Sequence, residues 1–107
     1  MSLLHINKDN FEELVIKAEK PVLLDFWATW CFPCQKIAPH VEALAQERED
    51  VIVGKVDVDE APELAIKYGI TSIPTLLVLE NGQVLKQSVG VRDKAAIEKM
   101  VDESLGM

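Results

Sequence analysis

The sequence predicts an α/β domain in which helices cover both faces of a central mixed β-sheet. Helix-like and strand-like patterns alternate through the first part of the chain, which is typical of parallel strands joined by crossover helices. The last two strand-like segments are separated only by Asn81-Gly82, the dipeptide that most strongly indicates a β-hairpin. The 107 residues suit one domain, 1–107, with one hydrophobic core.

The first part of the chain contains two strand patterns separated by a helix pattern. Residues 3–6 predict a short strand, and Asp9 or Asn10 can cap a helix that continues to about Ala18. Residues 22–28 are almost wholly apolar and are interrupted by a single carboxylate. Such a short apolar run, rich in β-forming residues, predicts a central strand that is buried on both faces.

A long helix, a second buried strand and a short helix follow. The long helix runs over residues 33–48, and Pro39 inside it predicts a kink. Residues 51–58 predict the second buried strand. After this strand, Asp59 can cap a short helix that ends before Gly69.

The hairpin and a last helix complete the domain. Residues 75–80 and 83–89 predict the two hairpin strands, and Asp93 can cap the final helix. The predicted order of elements is therefore β-α-β-α-β-α-β-β-α. In sheets of this kind, chemistry is expected at the carboxyl ends of the parallel strands. Both cysteines of the chain fall at one of those ends.

Composition and charge exclude some classes of function. The chain has 18 acidic and 11 basic residues and a net charge of −7, whereas a nucleic-acid-binding surface needs a basic patch. No apolar run approaches the roughly 18 residues of a membrane span. The N-terminal residues lack the pattern of a signal or transit peptide. We therefore expect a cytoplasmic protein with no nucleic-acid or membrane partner, and a monomer by default.

The cysteines Cys31 and Cys34 are spaced for redox chemistry. Residues three apart on a helix have Cβ atoms about 5–6 Å apart, and a disulfide needs about 3.5–4.5 Å. A small adjustment in the first helical turn thus accommodates both the dithiol and the disulfide, and Pro33 stiffens that turn. Free N–H groups and the helix dipole favour a thiolate there. Because Cys31 precedes the helix and Cys34 lies a turn deeper, we assign Cys31 as the nucleophile and Cys34 as the resolving thiol.

Two other interpretations of the cysteine pair are a buried, inert pair and half of a metal site. Tetrahedral zinc needs four protein ligands, or three and a water molecule. At about 100° per residue, His40 lies roughly 240° around the helix from Cys34. His5 could reach the cysteines only through the fold. We therefore expect no bound metal and expect both histidines to lie at the surface.

Two charged residues, Asp25 and Lys55, interrupt apolar strand patterns. Burial of the Asp25 carboxylate would raise its pKa and make it a proton carrier near neutral pH. Asp25 lies on the strand that leads to the cysteines, so it could accept the proton of Cys34. Lys55 could pair with Asp25 if the two strands are neighbours. Taken alone, the pattern equally allows both residues to face solvent.

Several segments of the chain resemble the thioredoxin family. The active-site motif is Trp30-Cys31-Phe32-Pro33-Cys34, and the matching segments are 25–34, 36–39, 55–59, 68–75, 81–82 and 89–90. They cover nearly the whole chain, in order and without large gaps. The resemblance implies the thioredoxin fold, with a central mixed five-stranded sheet flanked by four helices. It also implies a protein-disulfide oxidoreductase of the dithiol–disulfide exchange type.

The resemblance also implies roles for individual residues. Cys31 and Cys34 are then the redox pair, Asp25 the buried acid, Lys55 its partner, and Trp27 a residue packed against the active-site loop. Pro74 is then preceded by a cis peptide bond, which exposes the backbone of Ile73 to an extended substrate. The implied substrate-binding residues are Trp30, Phe32, Pro33, Ile73, Pro74, Val89, Gly90 and Val91.

The family resemblance further implies the partners of the protein. Disulfide-containing proteins are the substrates, and an NADPH-dependent flavoprotein, thioredoxin reductase, returns the electrons. The chain itself then carries no bound cofactor, and NADPH is used only indirectly.

Phe32 departs from the family pattern, which usually has glycine at this position. Its ring could extend substrate contacts, narrow the substrate range or shift the reduction potential, and it could equally be a tolerated substitution. Besides a general reductase, the sequence therefore allows a specialised thiol oxidant or isomerase tuned by Phe32. A third possibility is a non-catalytic binding subunit, against which the presence of both cysteines and Asp25 argues.

Overall fold

A five-stranded mixed sheet organises residues 3–106, the part of the chain described by the computed structural model. Its strands are β1 (Leu4–Ile6), β2 (Val22–Trp27), β3 (Ile52–Asp57), β4 (Thr75–Glu80) and β5 (Gln83–Val89). The helices are α1 (Phe32–Glu47), α2 (Pro62–Lys67) and α3 (Lys94–Ser104), and a π-helical segment (Glu12–Ile16) precedes β2. The strand order across the sheet is β1-β3-β2-β4-β5.

Strand β2 occupies the centre of the sheet. It pairs in parallel with β3 and antiparallel with β4. Strand β1 extends the parallel half, and β5 extends the antiparallel half as the second strand of the hairpin. The sheet is therefore mixed, as predicted. Every residue of β2 except Trp27 is buried, which explains the continuous apolar run in its sequence.

Helices cover both faces of the sheet. Because successive strand residues point to opposite faces, Leu23 and Leu24 of β2 belong to different hydrophobic clusters. Leu23 packs with apolar residues of α1 and α3. Leu24 packs with apolar residues of the π-helical segment and α2. Within residues 3–106, no helix is both long and apolar enough to cross a membrane.

Three local signals in the sequence are confirmed. Asn81 and Gly82 have φ angles of 53° and 78°, as a two-residue hairpin turn of type I′ requires. Asp93 is the N-cap of α3, and its Oδ1 accepts a hydrogen bond from the Ala96 N–H at 2.9 Å. Gly69 follows α2 with a φ of 65°, in the left-handed conformation common just after a helix.

The first predicted helix is wrong in its length and in its cap. Instead of a helix extending to about Ala18, the segment forms a π-helical stretch of five residues, and neither Asp9 nor Asn10 is its N-cap. The Asn10 side chain is directed backwards, where its Oδ1 accepts a hydrogen bond from the Asn7 N–H at 2.8 Å. A side-chain oxygen that is occupied by the preceding turn is not free to cap the helix that follows.

The predicted cap of the short helix α2 is also wrong. Ala61 is the N-cap, and no side chain caps the helix. Asp59 lies in a turn that Asp57 stabilises, since Asp57 Oδ1 accepts the Asp59 N–H at 2.9 Å. Pro62 at the start of α2 has no N–H, which removes one of the donors that a cap would satisfy.

Candidate active site

The two cysteines lie at the junction of β2 and α1 and form a disulfide bond. Their Cα atoms are 5.2 Å apart. Cys31 is the N-cap residue of α1, and its Sγ accepts a hydrogen bond from the Cys34 backbone N–H at 3.2 Å. Pro33 occupies the first turn, where its missing N–H leaves no helical hydrogen bond unmade.

The surroundings of Cys31 Sγ favour a negative charge on this sulfur. An N–H donor of the first helical turn already points at it, and the helix dipole places partial positive charge at the same end of α1. Both effects lower the free energy of a thiolate relative to a thiol. Cys34 lies inside the first turn and is buried at 2 % exposure. The arrangement therefore distinguishes the two sulfurs electrostatically.

Asp25 is a fully buried carboxylate in the central strand. It is 0 % exposed, and among residues 3–106 neither of its side-chain oxygens has a hydrogen-bond partner within the protein. Burial raises its pKa to about 6, and the positive charge of Lys55 opposes part of that rise. A carboxyl group with this pKa changes its protonation state close to neutral pH.

Lys55 is the register partner of Asp25 on the neighbouring strand β3. Its Nζ lies 4.4 Å from the centroid of the Trp27 ring. The ammonium group therefore acts on Asp25 through space and not through a hydrogen bond, because both carboxylate oxygens are unpartnered. Trp27 in turn packs against the cluster formed by the two cysteines and Ala28.

Apolar side chains surround the disulfide at the surface. The Trp30 and Phe32 side chains, on either side of Cys31, are 69 % and 65 % exposed. The Phe32 ring also lies 5.0 Å from Lys36 Nζ. The carbonyl oxygen of Ile73 is 3.9 Å from Cys31 Sγ, so this backbone group borders the sulfur.

The remaining residues predicted to bind substrate lie at the open end of the hairpin, where β4 begins and β5 ends. The Ile73–Pro74 peptide bond is cis, as the resemblance implied. Pro74 itself is buried, and its carbonyl oxygen accepts a hydrogen bond from the Gly90 N–H at 2.9 Å. This bond joins the Gly90 loop to the segment that borders Cys31. Val89 and Val91, on either side of Gly90, are 47 % and 40 % exposed.

The structure adds Asp59 to the site. Its Oδ2 accepts a hydrogen bond from the Trp30 indole N–H at 2.8 Å. The sequence pattern predicts Asp59 as a helix cap and does not predict this contact. No local pattern indicates it, because the two residues are 29 positions apart in the chain.

Comparisons with known proteins identify the family. A family model described as Thioredoxin matches residues 2–103. Thioredoxin of Streptomyces clavuligerus is 47 % identical over 95 residues, which cover 89 % of each chain. Thioredoxin of Bacillus subtilis (strain 168) is 52 % identical over 89 residues, which cover 82 % of this chain and 86 % of the relative. The chain belongs to the thioredoxin family.

Membership of the thioredoxin family classifies both the fold and the chemistry of the chain. The mixed five-stranded sheet with its helices is a thioredoxin fold. Thioredoxins are thiol–disulfide oxidoreductases, and this chain is therefore one, with Cys31–Cys34 as its redox-active disulfide. Proteins of the family act on disulfide substrates and are reduced by thioredoxin reductase.

Thioredoxin chemistry needs no bound cofactor, because the cysteine pair itself carries the electrons. In the described part of the chain, no three His, Cys, Asp or Glu side chains are grouped so that they could hold a metal ion.

Proposed function

We propose that this chain reduces protein disulfides, with Cys31 as the nucleophile and Cys34 as the resolving thiol. The observation that carries the proposal is the hydrogen bond from the Cys34 N–H to Cys31 Sγ at the start of α1. It supports a Cys31 thiolate in the reduced protein, and the thiolate is the form that attacks a disulfide.

The proposed reaction has two exchange steps. The Cys31 thiolate attacks one substrate sulfur, the substrate S–S bond breaks, and the other substrate sulfur leaves as a thiolate that takes a proton from solvent. The Cys34 thiolate then attacks Cys31 Sγ in this mixed disulfide. The second substrate sulfur leaves, and the Cys31–Cys34 disulfide forms. Two electrons have passed from the protein to the substrate.

Asp25 is proposed to accept the proton of Cys34 in the second step. Support comes from its complete burial, its lack of hydrogen-bond partners and its pKa of about 6. Lys55 is proposed to keep this pKa from rising further, because its charge favours the carboxylate form.

The substrate is proposed to bind across the apolar surface beside Cys31. In this proposal the exposed rings of Trp30 and Phe32 form one part of the surface. The exposed Val89 and Val91, on either side of the Gly90 that bonds to Pro74, form the other. Pro33, Pro74 and Gly90 are proposed to shape this surface. A carbonyl group at Ile73, close to Cys31 Sγ, can accept a hydrogen bond from an extended substrate backbone.

Re-reduction is proposed to come from thioredoxin reductase, which draws its electrons from NADPH. This proposal rests on the family, whose members receive electrons in this way. We also propose that the protein acts in the cytoplasm, a reducing compartment in which a dithiol of this kind can be maintained. We propose that it acts as a monomer.

The first experiment is to trap the mixed disulfide. Cys34→Ser should accumulate a covalent complex with a disulfide-containing protein such as insulin, detected by mass spectrometry, because the introduced hydroxyl group cannot displace the substrate. Cys31→Ser should form no such complex and should lose disulfide reduction. If the two variants exchange these outcomes, the assignment of nucleophile and resolving thiol is wrong.

The exposure of Phe32 favours one alternative, a thiol oxidant or isomerase. A ring that is 65 % exposed beside the nucleophile can alter access to the sulfur and the stability of its thiolate. The reduction potential of thioredoxin is about −270 mV, and that of protein disulfide isomerase is about −180 mV. A potential close to the first value supports the reductase, and one close to the second supports the alternative. If the reduction potential of Phe32→Gly is measured in parallel, any difference from the wild type can be attributed to the Phe32 ring.

A further inference from the structure

The loop of residues 90–93, which carries Val91 of the proposed substrate surface, is attached to the domain at both ends. At its start, the Gly90 N–H donates to the Pro74 carbonyl at 2.9 Å. At its end, the backbone N–H of Lys94 donates to Nδ1 of His40 at 3.1 Å. Between these two hydrogen bonds, the N–H groups of residues 91–93 donate to no backbone carbonyl of the described chain. Asp93, the last residue of the loop, is also bound to α3, because its carbonyl oxygen accepts from the Ile97 N–H at 3.0 Å and its Oδ1 from the Ala96 N–H at 2.9 Å. The position of the loop thus depends on the attachments at its two ends.

His40 is half-buried between α1 and α3, which corrects the expectation that it lies at the surface. It follows Ile37 by three residues and precedes Leu44 by four, so it lies beside the apolar face that α1 turns towards α3. The His40–Lys94 bond joins residues 54 positions apart. It therefore ties the helix that carries the cysteine pair to the end of the 90–93 loop.

The imidazole of His40 contributes to the capping of α3. A helix begins with N–H groups that have no partner within it. Asp93 satisfies one of them through its hydrogen bond with Ala96 N–H, and His40 satisfies that of Lys94. Nδ1 can accept this bond only in the neutral imidazole with its proton on Nε2. A protonated imidazole has donors at both nitrogens, and its charge faces the positive end of α3.

We propose that His40 is a positioning residue for substrate binding. Its neutral imidazole holds the end of the 90–93 loop, and thereby Val91, in place beside the disulfide. Protonation of His40 breaks the hydrogen bond to Lys94, loosens this end of the loop and weakens the binding of protein substrates. The part of the loop in substrate binding rests on the proposed function. The response of the loop to the charge of His40 rests on the His40–Lys94 contact.

The charged groups around His40 leave the rest of the α1–α3 contact intact when the imidazole is protonated. Lys94 directs its own charge away, since its Nζ pairs with Glu47 of α1 at 2.6 Å and with Glu98 of α3 at 3.0 Å. At the far end of the two helices, Arg48 pairs with Asp102 at 3.0 Å. The Lys94–Glu47 and Arg48–Asp102 pairs, together with the apolar packing between the two helices, hold α3 against α1 without His40.

Two further cations lie on elements next to His40, and both have other contacts. Lys36, one turn earlier on α1, lies over the Phe32 ring. Arg92 in the loop donates to the Val91 carbonyl at 3.0 Å. The Asp93 carboxylate accepts from α3 itself. The loss of the His40–Lys94 hydrogen bond therefore follows from the protonation of His40 Nδ1 and not from these neighbouring charges.

The test compares the wild type with His40→Asn and His40→Leu. Asparagine places an oxygen where Nδ1 lies and cannot be protonated, whereas leucine fills the space without an acceptor. Arg48→Gln is the matched control, because it weakens the α1–α3 contact at the end away from the loop. The first readout is the amide resonance and hydrogen exchange of Lys94, measured by NMR. The second is kinetic: KM for insulin is compared with kcat for a small aromatic disulfide, with dithiothreitol as the reductant in both assays.

We expect KM for insulin to rise roughly two- to tenfold in the wild type as the pH is lowered from 8 to 5.5, because the His40–Lys94 hydrogen bond requires the neutral imidazole. The Lys94 amide should lose protection over the same range, relative to its intrinsic exchange. His40→Asn should show neither change, and His40→Leu should show both already at pH 8. Turnover of the small disulfide should depend on pH equally in all variants, since Asp25 is common to them, and Arg48→Gln should behave as the wild type.

Each contrary result has a separate meaning. If Lys94 protection in the wild type and in His40→Asn responds to pH in the same way, the hydrogen bond does not hold the loop and the inference fails. Loss of Lys94 protection in His40→Leu without any rise in KM would remove the positioning role. A wild type that reduces neither disulfide would overturn the proposed function instead, and the NMR arm would still decide whether His40 holds the loop. If His40→Leu does not fold, the pH comparison with His40→Asn carries the test.

Discussion

Two carboxylates are connected to the active-site segment, and their surroundings are opposite. Asp25 lies in the strand that leads to the cysteines and is fully buried without a hydrogen-bond partner. Asp59 is exposed and accepts a hydrogen bond from the indole of Trp30, next to Cys31. Burial raises the pKa of Asp25 to about 6. The comparison teaches that burial gives one carboxyl group a raised pKa, which suits the proposed proton transfer, whereas exposure leaves the other free to bond a neighbouring side chain.

The largest expected effect is on stability and concerns Asp25. Its pKa is about 6 in the folded protein, against an ordinary value of 3.8, so the folded state binds more protons than the unfolded state between these pH values. The free energy of unfolding therefore falls as the pH rises from about 4 to about 6 and stays lower above. Asp25→Asn removes this dependence and should stabilise the protein by about 3 kcal/mol at pH 8, but little at pH 4.

Urea unfolding of both proteins at pH 4 and pH 8 measures this difference. An equal difference at the two pH values would mean that the effect comes from packing and not from ionisation. In that case the ionisation of Asp25 would not affect the stability of the fold, and the contrast with Asp59 would not be electrostatic.

The next effect is on turnover. Asp25→Asn should slow disulfide reduction near pH 7 by roughly a hundredfold, because a positioned general base typically contributes at least that factor. The protein should remain folded, as the urea experiment reports. A pH–rate profile of kcat identical to that of the wild type would remove Asp25 from the mechanism.

A smaller effect is expected at Lys55. Its charge lowers the pKa of Asp25, so Lys55→Met should raise that pKa further and move the midpoint of the pH–rate profile to higher pH. Turnover at pH 7 should fall, but by less than in Asp25→Asn. Lys55→Arg retains the positive charge and is the control. A midpoint that moves to lower pH in Lys55→Met would contradict the proposed coupling.

The smallest effect is expected at the exposed carboxylate. Asp59→Ala removes the partner of the Trp30 indole, and an exposed hydrogen bond of this kind contributes about 1 kcal/mol. KM for insulin should rise a few-fold while the pH–rate profile keeps its shape. Asp59→Asn retains an acceptor oxygen and should behave as the wild type. A displaced pH profile in Asp59→Ala would show that Asp59, too, takes part in proton transfer.

Features that depend on neighbours in the chain were predictable. The Asn81-Gly82 turn and the Asp93 cap of α3 were predicted because their hydrogen bonds and backbone angles involve residues within a few positions. The apolar run of β2 likewise predicted a strand covered on both faces. Such signals arise from propensity and periodicity, which are properties of the local sequence.

The errors arose where an Asn or Asp side chain has more than one possible hydrogen-bond partner. Asn10 was predicted to cap a helix after it, but its side chain accepts a hydrogen bond from the turn before it. Asp59 was predicted to cap α2, but its side chain bonds to Trp30 instead. An Asn or Asp side chain can serve a turn, a cap or a distant donor. The sequence pattern alone does not say which of these partners comes within reach.

The sequence by itself determined the order of the elements, the hairpin and the position of the cysteine pair at a strand–helix junction. The tertiary structure alone decided that Asp25 is buried without partners, that Trp30 meets Asp59, and that His40 holds Lys94. The physical reason is the range of the interactions. Turns and caps form between near neighbours, whereas burial and contacts across the sheet and between helices exist only once distant segments have packed together.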